Sequence, residues 1–334
     1  MNRKDPLMQQ ANVWVSEGRK LALATVVETW GSSPCPSGSQ MIINDKAGFA
    51  GSVSGGCIEA SVVSESLEIL NSGGFELTEY GVSSEVSFAA GLACGGTVRV
   101  MLELLDEKLL KELMGARPAV RVVDLRNGKW TFVREDLVSG NFSLDNDTMA
   151  AARNAMHDER AQIYEAGEDR YFMQPLIPAY RLLIVGAVRI AQSLAPMAAE
   201  LGFDVTIIDP RRAFSTDERF PNVALVREWP DKAVSKLGFD AHTALVTLTH
   251  DAEPDDMALG MALNSDVFYI GALGSKRTHA ARIDRLRESG FSNEDISRIH
   301  APVGLDIGAK TPAEIAVSIL SQIIEIKNMR GKRH

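Results

Sequence analysis

An apolar run, a glycine turn and a helix start follow one another in Leu182-Leu183-Ile184-Val185-Gly186-Ala187-Val188-Arg189-Ile190-Ala191. This order is typical of the first strand and helix of a dinucleotide-binding Rossmann unit. Gly186 takes the first glycine position and Ala191 the third, but Val188 stands where a second glycine lets the backbone approach a pyrophosphate. Asp209 follows the next apolar run, where an acidic residue holds ribose hydroxyls. The pattern predicts the fold and leaves two interpretations of the site open: a nucleotide pocket, or an inherited fold that holds no dinucleotide.

The alternation of strand and helix continues through the second half of the chain. Short apolar runs, separated mostly by helical stretches, lie at residues 182–185, 205–208, 223–226, 244–248 and 267–270. Such alternation is typical of a doubly wound parallel sheet in an α/β protein. We therefore predict a Rossmann-like domain over residues 180–334.

The first third of the chain predicts a smaller N-terminal α+β domain over residues 1–115. One helix is expected after Cys57, because apolar residues recur there near helical spacing until Gly73-Gly74 ends the pattern. Short strands are expected at residues 21–27, 41–44, 49–53 and 96–105.

Residues 116–179 are predicted to be a hairpin-rich bridging segment, or an extension of the first sheet. Asn127-Gly128 and Gly167-Glu168-Asp169 each lie between two apolar runs, which indicates two β-hairpins. A short helix is expected at residues 149–157.

Two of the three cysteines lie in glycine-rich loops. Cys57 belongs to Ser54-Gly55-Gly56-Cys57-Ile58-Glu59, and Cys94 belongs to Gly91-Leu92-Ala93-Cys94-Gly95-Gly96. Glycines let backbone amides and a thiol approach a ligand, and Cys57 is expected at a helix N-terminus, so a reactive thiolate is one interpretation. The other is that both cysteines are small buried hydrophobic residues. The pattern alone leaves both open.

A second glycine-rich turn indicates an anion site. Gly271-Ala272-Leu273-Gly274-Ser275-Lys276-Arg277-Thr278-His279 follows a predicted strand and opens a predicted helix. Ser275 is expected to cap that helix, so that the first-turn amides face outward beside Lys276 and Arg277. The arrangement suits a phosphate, and the alternative is a solvated basic turn.

The remaining candidate residues are histidines and one aspartate. The six histidines form no ligand pair at helical spacing, so no metal cluster made by the protein alone is expected. His250, His279 and His300 fall at predicted strand ends or loops, where open α/β sheets bind ligands. Asp306, in a loop between two glycines, is expected to be available to a ligand. No Gly-x-Ser-x-Gly elbow follows a predicted strand, which argues against a Ser/His/Asp hydrolase.

Composition argues against several classes of partner. The chain of 334 residues has a formal net charge of −9, which disfavours nonspecific binding to nucleic acid or to an anionic membrane. Its 45% hydrophobic and 24% charged residues are ordinary for a soluble globular protein. Three cysteines do not suggest a secreted disulfide framework, and neither a signal peptide nor a membrane-spanning apolar run is apparent. We expect a cytoplasmic protein, with a homodimer as the default assembly.

Five long strings of this sequence occur in a fixed order: Thr29-Trp30-Gly31-Ser32-Ser33-Pro34, Gly51 to Glu59, Gly91 to Gly96, Tyr269 to His279 and His300 to Glu314. Together they resemble the XdhC/CoxI family of molybdenum-hydroxylase maturation factors. Residues 111–179 match the family only in position. Two positions depart from its pattern: Gly186-Ala187-Val188-Arg189 replaces Gly-x-Gly-His, and Cys35 replaces a basic residue. At Cys35 we expect an adventitious exposed thiol, or the loss of one charged contact.

The resemblance implies a chaperone that binds a molybdopterin-type molybdenum cofactor, protects it, and aids its sulfuration and insertion into a molybdenum hydroxylase apoenzyme of the xanthine dehydrogenase type. It implies a cysteine desulfurase as a candidate sulfur donor, and leaves the mononucleotide and cytosine dinucleotide forms of the cofactor open. Because a carrier needs no turnover, we expect a non-catalytic accessory factor, with the question of an enzyme left open. The candidate cofactor-contacting residues are Ser54, Gly55, Gly56, Cys57, Cys94, Gly95, Gly186, Asp209, Gly274, Ser275, Lys276, Arg277, His279 and Asp306.

In this interpretation the two glycine-rich regions hold opposite ends of the cofactor. Residues 275–277 would hold the phosphate or nucleotide end, while Cys57 and Cys94 would contact the metal or dithiolene end, since soft sulfur suits such centres. At least one thiolate, Cys57 first, would contact molybdenum or carry the sulfur atom in transit. Two alternatives stay open: an NAD(P)-dependent oxidoreductase, suggested by the Rossmann pattern and Asp209, and a thiol redox sensor switched by a Cys57–Cys94 disulfide.

Overall fold

A computed structural model describes residues 5–31, 34–81 and 96–330, and the chain divides into two compact units. One unit ends at Ile177 and the other begins at Pro178. Each has its own sheets and its own apolar cores. Cys94 and Gly95 lie outside the described residues.

Two antiparallel five-stranded sheets form the N-terminal unit. Sheet A contains β1 (Leu21–Trp30), β2 (Gln40–Asn44), β3 (Phe49–Gly51), β4 (Phe75–Gly81) and β5 (Thr97–Leu104), in the order β3-β2-β1-β5-β4. Sheet B contains β6 (Ala119–Asp124), β7 (Trp130–Val133), β8 (Val138–Gly140), β9 (Gln162–Ala166) and β10 (Asp169–Leu176), in the order β8-β7-β6-β10-β9. The helices are α1 (Pro6–Ser16), α2 (Glu59–Ser72), α3 (Glu107–Leu113) and α4 (Asn146–Asp158).

Side-chain alternation along the strands explains how these elements stack. In β1, Leu21 and Leu23 point to one face and belong to a core shared with Phe132 and Phe172 of sheet B. Residues 24 and 26 point to the other face, where they share a core with Val62 of α2. The far face of sheet B packs on Ala152 and Ala155 of α4. The unit therefore has the layer order α2, sheet A, sheet B, α4.

The predicted bridging segment forms sheet B. Its two hairpins are present as β6–β7 and β9–β10, and α4 spans the stretch where a short helix was expected. Because the strands present one apolar face to sheet A, they pack on it face to face and do not extend its edge. The expected strands of sheet A are also present, with the added strand β4.

The C-terminal unit is built on one parallel six-stranded sheet. Its strands are β11 (Arg181–Val185), β12 (Asp204–Ile208), β13 (Ala224–Val226), β14 (Thr243–Thr247), β15 (Tyr269–Ala272) and β16 (Ile299–His300), in the order β13-β12-β11-β14-β15-β16. Its helices are α5 (Arg189–Glu200), α6 (Pro230–Leu237), α7 (Ala252–Leu263), α8 (Lys276–Glu288), α9 (Asn293–Ser297) and α10 (Pro312–Arg330).

Both faces of this sheet are covered, which confirms the predicted doubly wound fold. One core joins Leu182 of β11 to Leu194 of α5 and Ile319 of α10. The other joins Leu183 to α6, α7 and α8. Since the strands are parallel, the turns that follow them meet at one edge, called here the carboxyl edge. Within the described residues, no helix is both long and apolar enough to span a membrane.

Candidate functional site

The Cys57 loop is organised around the carboxylate of Glu59. Glu59 is the first residue of α2, and only 7% of it is exposed. Its Oε1 accepts a hydrogen bond from the Ser52 hydroxyl at 2.6 Å. The same oxygen accepts from the backbone amides of Val53 and Ser54 at 3.3 and 3.0 Å. One carboxylate oxygen thus holds residues 52–54, which follow β3.

The second oxygen of Glu59 holds the glycine turn. Oε2 accepts hydrogen bonds from the Ser54 hydroxyl and from the backbone amides of Gly56 and Ile58, the amides at 2.9 and 3.2 Å. Burial would raise the pKa of Glu59, but the hydrogen bonds from the Ser52 and Ser54 hydroxyls and from the Ser54 amide outweigh it and lower the pKa to about 2. The carboxylate is therefore ionised at neutral pH.

These contacts change what the Cys57 loop offers a ligand. The thiol of Cys57 is exposed, but the amide of Cys57 donates to Ser54 Oγ at 3.0 Å, as does the Ile58 amide. Helix α2 begins at Glu59, two residues after Cys57, so the negative carboxylate occupies the positive helix end. Cys57 lies directly before the N-cap residue Ile58, next to this N-terminus as expected, but the Gly56 and Ile58 amides are bonded to Glu59 and do not face a ligand. The loop instead presents a solvent-facing thiol on a hydrogen-bonded frame.

Cys35 lies against this frame. Its Sγ is 3.7 Å from Ser52 Oγ, and its side chain packs on the core between sheet A and α2. A Cβ on Gly55 would lie 3.2 Å from Pro34 Cγ, so the two loops touch. Cys35 is half-buried, and the expectation of an exposed thiol there is wrong. The proposed pairing of Cys57 with Cys94 stays a prediction, because Cys94 lies outside the described residues.

In the C-terminal unit, the turn after β11 confirms the glycine at the first fingerprint position. Gly186 has a φ of +111°, and a Cβ there would lie 3.0 Å from Thr249 Cγ2 and 3.2 Å from its backbone nitrogen. Its amide donates to Ile208 O at 2.9 Å. Val188 is the residue before α5 and gives the helix no side-chain cap. The Gly186 amide therefore ties the turn to β12. The next amide, that of Ala187, donates to Asp209, which directly follows β12.

Asp209, the predicted ribose ligand, is engaged by the protein itself. Its carboxylate is 1% exposed, and it accepts hydrogen bonds from the Ala187 amide at 2.8 Å and from three donors of Arg211. Burial would raise the pKa of Asp209, but the hydrogen bonds from Arg211 and from the Ala187 amide outweigh it and lower the pKa. Asp209 is thus a buried carboxylate that holds the turn after β11.

The turn after β15 has the predicted helix cap. Helix α8 begins at Lys276, and Ser275 Oγ accepts a hydrogen bond from the Thr278 amide at 3.2 Å. Gly274 has a φ of +143°, and a Cβ there would lie 3.1 Å from Thr278 Cβ. Residues 275–278 are exposed, so Lys276 and Arg277 place two cations at a helix N-terminus. The turn therefore brings a helix N-terminus and two exposed cations together at the carboxyl edge.

Behind the turn, His279 and Arg282 are more enclosed. Nδ1 of His279 is buried and has no hydrogen-bond partner among the described residues. Burial and the charge of Arg282 lower the pKa of His279, so its ring is neutral at pH 7. Arg282 is 2% exposed and donates to Leu273 O at 3.3 Å and to Asp255 Oδ2 at 3.4 Å. Because Asp255 also accepts from the Thr249 hydroxyl at 2.7 Å, this group ties together the turns after β14 and β15.

The other predicted residues of this unit have mixed surroundings. Asp306 is exposed in its loop, as expected. His300 stacks on Tyr269, with ring centroids 5.0 Å apart and planes 6° from parallel, and burial lowers its pKa. His250 lies in the turn after β14 with a φ of +63°. In the described part of the chain, no group of three or more His, Cys, Asp or Glu side chains could hold a metal ion.

Three residues important to these sites were not predicted from the sequence. Glu59 lies in a string that resembles the family, but the sequence indicates no role for it, and neither Arg211 nor Arg282 is among the candidate residues. All three act through contacts that only the folded turns create. The one local signal was the pair Arg211-Arg212 directly after Asp209.

The fold and both turns define a class of protein with an antiparallel N-terminal unit followed by a Rossmann unit. The model of the XdhC and CoxI family matches residues 14–81, and that of the XdhC Rossmann domain matches residues 182–323. The molybdenum cofactor insertion chaperone PaoD of Escherichia coli (strain K12) is 30% identical over 311 residues, which cover 93% of this chain and 84% of PaoD. The chain belongs to the XdhC and CoxI family.

Two further comparisons also span most of the chain. A probable xanthine dehydrogenase subunit of Bacillus subtilis (strain 168) is 28% identical over 327 residues, covering 94% of this chain and 95% of the relative. A crystal structure of a xanthine dehydrogenase from Bacillus halodurans is 24% identical and covers 97% of this chain and 96% of its own, with a TM-score of 0.80. The latter likeness confirms the fold.

Proposed function

We propose that this protein binds a molybdopterin-type molybdenum cofactor and delivers it to an apoenzyme of the xanthine dehydrogenase type. The similarity to a molybdenum cofactor insertion chaperone, over most of both chains, supports the delivery role. The observation that carries the proposal is the turn at residues 275–277, which exposes Lys276 and Arg277 at a capped helix N-terminus on the carboxyl edge.

The cofactor's phosphate suits this turn for two physical reasons. A phosphate carries negative charge, and a helix N-terminus combines positive backbone dipoles with amides that lack intrahelical acceptors. Lys276 and Arg277 add two formal positive charges in a chain whose net charge is −9. Gly274 has no side chain, so a phosphate can approach its backbone closely. Its φ of +143° would also strain any other residue.

A separate role is proposed for Cys57, at the sulfur or metal of the cofactor. Its thiol is solvent-facing on a loop held by Glu59, so a bulky ligand or a donor protein can reach it. It would contact the metal centre or carry a sulfur atom in transit, with a cysteine desulfurase as the proposed donor. The protein would act as a carrier that binds and releases the cofactor without catalysing a reaction.

Reconstitution of a client apoenzyme tests both roles. Wild-type protein loaded with molybdopterin-type cofactor should restore activity to the apoenzyme. Cys57→Ser should load normally but yield an enzyme that holds cofactor without its sulfido ligand, which cyanide-labile sulfur measures. A Cys57→Ser protein that yields fully sulfurated enzyme would contradict the sulfur role, and a wild-type protein that restores no activity would contradict delivery.

The phosphate contact has its own matched control. Lys276→Ala with Arg277→Ala should lower cofactor affinity at least about tenfold, since hydrogen bonds to charged groups are lost. Arg287→Ala removes a charge from the same helix, α8, where the side chain is 54% exposed near the other end. It should leave affinity unchanged. The double variant removes two charges and Arg287→Ala removes one, so an equal loss per removed charge would reduce the effect to net charge.

A further inference from the structure

The carboxylate of Asp209 has no open acceptor position. A carboxylate offers about four lone-pair sites, and Asp209 receives four hydrogen bonds. Oδ1 accepts from the backbone amide and from Nε of Arg211, both at 2.9 Å. Oδ2 accepts from Nη2 of Arg211 at 2.7 Å and from the Ala187 amide at 2.8 Å. Three of these four bonds come from one residue.

This occupancy conflicts with the usual use of an acid at this position. In dinucleotide-binding Rossmann units, the acid at the end of the second strand accepts hydrogen bonds from ribose hydroxyls. Here a guanidinium lies on that carboxylate in a fork geometry, and such bidentate contacts are among the strongest that an arginine makes. A ribose would have to displace two side-chain bonds to reach Asp209, and it would offer only neutral hydroxyl donors in return.

The guanidinium is itself supported from outside. Its Cζ lies 4.3 Å from the ring centroid of Phe214, and that of Arg219 lies 5.6 Å from the same ring. Phe214 is 43% exposed, so this aromatic support sits at the surface of the carboxyl edge. The Arg211 side chain remains 46% exposed. The Arg211 side chain therefore lies between Asp209 and solvent, and its removal would expose the carboxylate.

We infer that Arg211 determines the ligand specificity of this Rossmann unit by closing the ribose position against NAD(H). The inference rests on the contacts of Asp209 and does not depend on the proposed delivery of molybdenum cofactor. It also gives a second reason for weak NAD(H) binding, besides the missing second glycine at Val188. Even a dinucleotide that fits the turn would find Asp209 already bonded to Arg211.

The test is calorimetric titration of the full chain with NAD⁺. Wild type should bind weakly, and Arg211→Ala should bind at least about tenfold more tightly, because the bonds that compete with the ribose are gone. Arg212→Ala is the matched control: it removes the same charge from the next, exposed residue and should leave affinity unchanged. Arg211→Gln, which keeps one donor for Asp209, should give a smaller gain and serves if the alanine variant fails to fold.

Three results would overturn the inference. The first is wild-type protein that itself binds NAD⁺ tightly. The second is the absence of any gain in folded Arg211→Ala or Arg211→Gln protein, which would leave Val188 as sufficient cause. The third is tight binding of NADP⁺ to wild type that is lost in Arg211→Ala, which would make Arg211 a 2′-phosphate ligand. None of these measurements involves molybdopterin, so failure here is distinct from failure of the delivery role.

Discussion

Glu59→Gln should destabilise the N-terminal unit, because one carboxylate holds the whole Cys57 loop. The substitution keeps one oxygen acceptor and puts an NH₂ group where three donors point. The native pKa of Glu59 is lowered from 4.5 to about 2, and each unit of difference is worth ~1.36 kcal/mol. Loss of the charge should therefore cost about 3 kcal/mol of unfolding free energy at pH 7.

The pH dependence has a definite sign. Since the native pKa is below the unfolded value, the stabilisation is complete above pH 4.5 and is lost as the pH falls towards 2. The difference between wild type and Glu59→Gln should thus be constant at neutral pH and shrink in acid. Urea unfolding at several pH values measures it, and hydrogen exchange of the amides at residues 53–58 reports the loop directly.

Glu68→Gln is the control for this prediction. Glu68 lies on the same helix, α2, and is exposed. Its substitution should change the unfolding free energy by less than about 0.5 kcal/mol. A Glu59→Gln protein that is no less stable than Glu68→Gln, or whose amides at residues 53–58 exchange as slowly as in wild type, would refute this role of Glu59.

Three further substitutions test other parts of the structure. Gly304→Ala should lower the unfolding free energy, measured in urea, by about 2 kcal/mol or more, because its φ is +94° and its Cβ would lie 2.2 Å from Ser318 Oγ. Gly308→Ala, with a φ of +71° and open space around it, should cost less. Equal losses would contradict this explanation. Glu103→Gln should lower the unfolding free energy by about 3–5 kcal/mol, because it leaves the fully buried Arg121 without its charged partner. The double variant Glu103→Leu with Arg121→Met should recover the lost stability. A single variant as stable as wild type would argue against a stabilising ion pair. Ser275→Ala should cost about 1 kcal/mol through the lost cap of α8, seen as a lower thermal midpoint, and an unchanged midpoint would mean that the cap contributes nothing.

The Rossmann unit could be predicted from the sequence because its signals are local. Each buried parallel strand is a short apolar run, and the helix cap at Ser275 depends on residues within three positions of it. Gly186 is likewise specified by its own turn. These features depend on residues that are close in sequence, and the structure confirms them.

The packing of the N-terminal sheets could not be predicted in the same way. Sheet B lies face to face on sheet A, and that arrangement depends on which face of each strand is apolar and on pairing between distant segments. Arg121 and Glu103 form a buried pair across the two sheets, although each looks like a surface residue in the sequence. Long-range contacts of this kind leave no local pattern.

The candidate sites were predicted in position but not in electrostatics. The Cys57 loop is where it was expected, but Glu59 takes the helix end that was assigned to the thiol. Asp209 ends its strand as predicted, but Arg211 takes the acceptor sites that were assigned to a ribose. In both cases a nearby charge folds back on the loop, and that choice depends on side-chain conformation.

The most direct test of the account is the pterin content of the purified chain. After incubation with molybdopterin-type cofactor and gel filtration, wild type should retain stoichiometric pterin, measured by the fluorescence of its oxidised form. Lys276→Ala with Arg277→Ala should retain about a tenth or less under the same conditions, while Arg287→Ala matches wild type. Wild-type protein that retains no pterin, or a double variant that retains as much as wild type, would contradict the central claim that the turn at residues 275–277 holds the cofactor.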